Sequence, residues 1–158
     1  MRLLPPLAAA LALTACTATA PPPPPPPAAE SPAAARTGCG SPVDTGPLPD
    51  WARAGFSGDP SVPHVLGDRG TITAVLFGSP LTAARTDGKA NKILWVAKES
   101  YPPGDLTISA ALDGTATTAG DTVEGGPGPS IVDLPRPGCW RLTLTWPGHA
   151  DTLDLTYA

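Results

Sequence analysis

An all-β domain, an antiparallel β-sandwich of about seven short strands, is what the sequence predicts for residues 39–158, and three observations predict it. Apolar residues recur at every second position over short runs, Gly, Pro and Asp bound those runs at close intervals, and few stretches show helical spacing. Period-two alternation marks a strand with one buried face, and several such strands bury their apolar faces by packing as two sheets.

The elements follow in chain order. Residues 69–77 (RGTITAVLF) place Ile72, Ala74 and Leu76 on one face. Residues 92–98 (KILWVAK) are apolar on both faces and read as a central strand. In residues 105–112 (DLTISAAL), Leu106, Ile108, Ala110 and Leu112 point inward while Thr107 and Ser109 face water. Weaker strands are expected near residues 115–123 and 130–134. Residues 139–146 put Trp140, Leu142, Leu144 and Trp146 on one face and Arg141, Thr143 and Thr145 on the other. After PGHAD, residues 152–157 supply the matching face of Leu153, Leu155 and Tyr157, and Pro147-Gly148 has the composition of a type II turn, so the pair reads as a hairpin.

The segment LPRPGCWRLTLTWPGHADTLDLTY, residues 134–157, resembles the closing hairpin of bacterial immunoglobulin-like domains, in which a Pro-Gly-aromatic start leads into alternating apolar residues. That resemblance implies an immunoglobulin-like sandwich. The sequence begins MRLLPPLAAALALTAC, with one basic residue (Arg2), an apolar stretch over residues 3–13 and small residues up to Cys16. This is a secretory signal layout, too short to span a bilayer. Leu13-Thr14-Ala15-Cys16 resembles the bacterial lipoprotein box. The resemblance implies that the Cys16 thiol takes a diacylglyceryl group, that residues 1–15 are removed, and that the mature chain is held at the extracytoplasmic face of the cell membrane. The ordinary alternative is a signal peptide that happens to contain a cysteine.

Residues 16–38 then carry seven consecutive prolines (21–27) and almost nothing able to enter a core. Such a stalk is expected to be disordered apart from a polyproline II bias, and the proline run alone reaches about 20 Å at ~3.1 Å per residue. The organisation expected is therefore a signal peptide (1–15), a lipidated Cys and Pro/Ala-rich spacer (16–38) and one domain (39–158). The domain as a whole resembles lipoproteins of actinobacteria, which implies no particular activity.

Charged residues make up only 15% of the 158, and the formal net charge is -4. That balance argues against nucleic acid as a partner and against a polybasic membrane patch. Of the three cysteines, lipidation would consume Cys16, leaving Cys39 and Cys139 as an even pair in an oxidising compartment, the condition for a disulfide. Two free thiols or a metal site are the alternatives.

No catalytic constellation emerges. EGGPGPS (124–130) lacks the lysine of a phosphate loop, and Ser130 is not in a nucleophile elbow. Asp87-Gly88 with Asn91, and Asp113 with Asp121, could offer oxygens to calcium but equally suit ordinary turns. His64 and His149 are too few for a metal centre on their own. Trp95, Trp140 and Trp146 are explained as core, which leaves Trp51 with Phe56 as a candidate surface for stacking a sugar or anchoring a protein, against the plainer role of packing over an open sheet edge. The expected function is a non-enzymatic, membrane-anchored lipoprotein that presents its β domain to an envelope protein or glycan, with no cofactor. The alternative is an accessory domain binding a small ligand, glycan or metal ion through the loops around Asp87 or Glu124.

Overall fold

In the computed structural model, residues 39–57 and 60–158 are described; the signal-like segment, Cys16 and the Pro-rich spacer lie outside the described residues. Eight strands are present among the described residues: β1 (His64–Leu66), β2 (Ile72–Leu76), β3 (Lys92–Ala97), β4 (Leu106–Leu112), β5 (Thr118–Val123), β6 (Pro129–Ile131), β7 (Gly138–Trp146) and β8 (His149–Tyr157). They form two four-stranded sheets, ordered β1-β2-β3-β6 and β5-β4-β7-β8, in which every neighbouring pair is antiparallel.

Alternation decides which faces meet. Ile72, Ala74, Leu76, Ile93 and Trp95 of the first sheet pack against Leu106, Ile108, Ala110, Trp140, Leu142, Leu144, Leu153, Leu155 and Tyr157 of the second, all buried in one cluster. A fully buried Leu, Ile or Val contributes about 1.5–3 kcal/mol over its exposed state, so this interior is the main stabilising term of the fold. Polar tips of three large core residues are satisfied locally: Trp95 Nε1 donates to Ser130 Oγ (2.9 Å), Trp140 Nε1 to the Arg136 carbonyl (2.9 Å) and Tyr157 Oη to the Val132 carbonyl (2.8 Å), whereas the buried Trp146 Nε1 finds no acceptor among the described residues. Burial and the nearby carboxylates of Asp133 and Asp121 push the Tyr157 phenol upward, so it stays a neutral donor.

The hairpin between β7 and β8 is tighter than the sequence suggests. Pairing resumes at His149, opposite Trp146, so the loop is Pro147-Gly148 alone. Gly148 has φ +79°, as the third position of a type II turn requires, and an added Cβ would meet nothing within 4 Å. A Gly148→Ala variant is therefore expected to lose about 1 kcal/mol through backbone strain alone. Urea unfolding should show a lower midpoint at unchanged slope, and an unchanged midpoint would contradict a left-handed residue at this position.

One further difference has a local cause. β1 has only three residues, too few to show a period. β3 lies between β2 and β6, as the central strand expected from the sequence, and is apolar on both faces because residues 44–57 and 60–62 cross the outer face of the first sheet, where Leu48, Ala52 and Val75 form a second small core with Trp51, Phe56, Val62, Leu94 and Val96 against it. This strap is clipped at its start by Gly40 N–H to Asp154 Oδ2 (2.9 Å) and Asp154 N–H to Ser41 Oγ (2.8 Å). Further along, Asp44 and His64 exchange both backbone hydrogen bonds at 2.8 Å. Cys39 and Cys139 are joined by a disulfide, with Cα atoms 5.2 Å apart, so the strap begins bonded to β7.

Candidate functional site

The strap leaves one corner of the first sheet uncovered, and register defines what lies there. Lys92 pairs with Ile131 and Leu94 with Pro129 across β3 and β6, while Val75 pairs with Leu94 across β2 and β3. Phe77 N–H donates to the Lys92 carbonyl (3.0 Å), which extends the outer row to Phe77, Lys92 and Ile131. Two of these apolar side chains stand open to solvent, Phe77 at 52% and Ile131 at 53% exposure. Isolated exposed apolar residues are ordinary on a protein surface; two in one row beside a cleft are not.

Trp51 and Phe56, the two aromatic residues singled out in the sequence, are both half-buried and lie on the same surface. Trp51 packs over the face of the first sheet, not over an edge, and belongs to the small outer core. Phe56 is the link to the open corner: its ring stacks on Phe77 with centroids 6.3 Å apart and planes 10° apart. Phe77 is the residue that sequence reasoning missed. Its signal was present, because Ile72, Ala74 and Leu76 take the inward positions and so Phe77 must point outward.

Three clefts share residues along this corner. One of about 290 Å³ is lined by Phe77, Lys92, Leu94 and Pro129. The next, about 300 Å³, lies along Lys92, Pro129, Ser130 and Ile131. The third, about 480 Å³, runs beneath Phe77 toward Arg85 and Lys89. All the charged residues lining them are basic.

The loop that closes the third cleft is held by Asn91, which is fully buried. Its Nδ2 donates to the Thr82 carbonyl (2.8 Å) and Asp133 Oδ1 (2.7 Å), and its Oδ1 accepts from Thr82 N–H (2.9 Å) and Arg85 Nη1 (3.3 Å). Arg85 forks onto Asp87 at 3.0 and 2.8 Å, and this hydrogen bonding holds the Asp87 carboxyl far below its ordinary range and raises Arg85. Asp87 and Asn91 thus serve the loop's own geometry. Lys89 and Lys92 make no side-chain ion pair among the described residues and remain as the exposed cations of the corner.

The other candidates lie elsewhere. Ser130 accepts the Trp95 indole hydrogen bond, and Cys139 is bonded to Cys39. His64 is buried with Nδ1 2.9 Å from the Val62 carbonyl, whereas His149 stacks on Trp146 at 5.3 Å. Asp113 follows β4, Asp121 accepts Thr122 N–H (2.8 Å) on β5, and Glu124 is exposed in the loop after it. Among the described residues no three His, Cys, Asp or Glu side chains are grouped to hold a metal ion, and no helix is long and apolar enough to cross a membrane. Comparison of the chain with family models, with characterised proteins and with solved structures gives no match.

Proposed function

We propose that this protein is a non-enzymatic lipoprotein, anchored through Cys16 at the extracytoplasmic face of the cell membrane, whose β domain binds a partner in the envelope. Residues 1–15 are the signal peptide, 16–38 the spacer and 39–158 an immunoglobulin-like sandwich. The observation that carries the reading is the Cys39–Cys139 disulfide. A disulfide points to an oxidising compartment, and it occupies two of the three cysteines, leaving Cys16 at the end of the lipoprotein box for lipidation. The surface around Trp51, Phe56 and Phe77 supplies an apolar and basic face for binding.

A lipoprotein-processing host tests the anchor. The wild-type chain is expected in the membrane fraction and in the detergent phase on phase partitioning, since two or more acyl chains anchor stably at ~0.8 kcal/mol per buried methylene. A Cys16→Ala variant is expected in the aqueous phase. Wild-type protein recovered from the aqueous phase would overturn the anchor.

A further inference from the structure

The geometry points to an acidic, apolar-bearing peptide segment of a partner protein as the occupant of the Phe77–Lys92–Ile131 corner, with an apolar side chain in the cleft between Phe77 and Pro129 and a neighbouring carboxylate on Lys92. This deepens the proposed function and rests on it, since it names the chemistry of the envelope partner.

Charge is the first argument. The chain carries 14 acidic and 10 basic residues, yet the residues lining the three clefts include Arg85, Lys89 and Lys92 and no carboxylate. Asp87 neutralises Arg85 and also interacts electrostatically with Lys89, so among the described residues the unpaired positive charge beside Phe77 is centred on Lys92. A complementary ligand therefore carries an acid beside an apolar residue.

Shape is the second. The cleft floor includes Leu94, and its walls are Phe77 and Pro129 with Lys92 as the one charged head, so it accepts a hydrocarbon side chain and offers little hydrogen bonding to a sugar ring. A recess of about 290 Å³ suits an inserted side chain better than a flat bilayer surface. Strand addition along β6 is disfavoured because Pro129 has no N–H to donate. The segment instead crosses β2, β3 and β6. At ~4.8 Å between strands and ~3.3 Å per extended residue, that crossing takes about three or four residues.

The probe is a phage-displayed library of random linear dodecapeptides, selected on the whole chain produced in a secreting host and immobilised through its carboxyl terminus. Enriched peptides are expected to carry Asp or Glu within two residues of an aromatic or branched aliphatic residue. A synthetic peptide of the enriched sequence should bind about tenfold more weakly to Lys92→Glu and to Phe77→Ser, and more weakly as salt rises. Lys92→Glu is at an exposed position and should leave the melting temperature unchanged, whereas Phe77→Ser gives up the stack on Phe56 and should lower it by only a few degrees without unfolding the domain. A peptide with its acid changed to Lys should regain affinity for Lys92→Glu.

Peptides without acid enrichment, no enriched peptide at all, or equal binding by both variants would overturn the inference. So would binding of wild-type chain, but not Lys92→Glu, to phosphatidylglycerol vesicles when no peptide binds, which would assign the corner to lipid headgroups. Capture of an envelope partner equally by wild type and Lys92→Glu would refute the inference while leaving the proposed function standing. Capture by neither would count against both.

Discussion

Replacing Cys39 and Cys139 together by alanine is expected to lower the unfolding free energy by about 4 kcal/mol. The bond joins residues 100 apart in sequence. In the chain-entropy model, closing a loop of that length restricts the denatured chain by up to about 4.7 kcal/mol, and native disulfides in small secreted domains contribute about 2–5. Both cysteines are only half-buried, so alanine leaves no large cavity to add to the loss. Urea unfolding should therefore show a lower midpoint and a steeper dependence on urea, because the uncrosslinked denatured chain exposes more surface.

Alkylation supplies the chemical control, since Cys39 and Cys139 should react only after reduction and a linked peptide should carry both. A loss below about 1 kcal/mol would show that the strap's own contacts, chiefly Leu48 and Ala52 in the outer core and the Asp154 clip, already close the loop.

The hairpin β7–β8 and strand β4 were legible in the sequence because each buries one face and exposes the other, which is the condition under which alternation carries information. Trp95, Trp140 and Trp146 were assigned to the core on the same ground, and all three are buried there. β3 was read as a central strand and does lie between β2 and β6, but what covers its second apolar face is something period alone cannot supply: the strap, a segment more than 30 residues earlier in the chain. β1 was hidden because three residues between Pro63 and a turn show no period at all.

The candidate surface divides the same way. The aromatic residues Trp51 and Phe56 stood out by type, but their association with Phe77, Lys92 and Pro129 depends on the register of three strands and on where the strap ends. The disulfide was legible by counting cysteines. Its partner contacts, Gly40 and Ser41 on Asp154, were not, since they join positions more than 110 residues apart.

Asp151 was the most misleading residue, and it makes the sharpest pH prediction. As a carboxylate among apolar inward positions it looked like part of a turn, which moved the expected start of β8 to Thr152. In the fold it is 1% exposed on the inward face of β8 and is paired from the other sheet's β1–β2 turn. Its Oδ1 accepts N–H from Arg69 (2.9 Å) and Thr152 (2.8 Å), and its Oδ2 accepts N–H and Oγ1–H from Thr71 (3.0 and 2.7 Å). The approach is so close that a Cβ at Gly67 would lie 2.6 Å from Asp151 Cγ, so this turn is built around the carboxylate.

Burial by itself would raise the Asp151 carboxyl, but the hydrogen bonds from Thr71, Arg69 and Thr152 outweigh it and hold the group below its ordinary value. An Asp151→Ala variant leaves three backbone N–H groups without their acceptor, and an expected loss of about 3 kcal/mol follows from ~1–3 kcal/mol for each buried polar group left unpaired, reduced by partial access of water at the turn. Asp151→Asn keeps the volume but turns an NH₂ donor toward those donors, so it should lose nearly as much.

The pH dependence separates charge from packing. Because the folded-state carboxyl is more acidic than the unfolded one, near 3.9, the unfolded chain binds more protons between the two values, and stability falls as the solution is acidified through that window. The contribution is fully present above about pH 5 and is lost as pH falls through the folded value. Urea midpoints measured from neutral pH to about pH 2.5 should then give a difference between wild type and Asp151→Asn that is constant above about pH 5 and shrinks steadily below about pH 4. Other carboxylates titrate in both proteins and cancel in that difference. A difference that stays flat to the lowest pH would mean that the carboxylate's charge contributes nothing, and that shape alone fits Asp151 to the turn at Gly67.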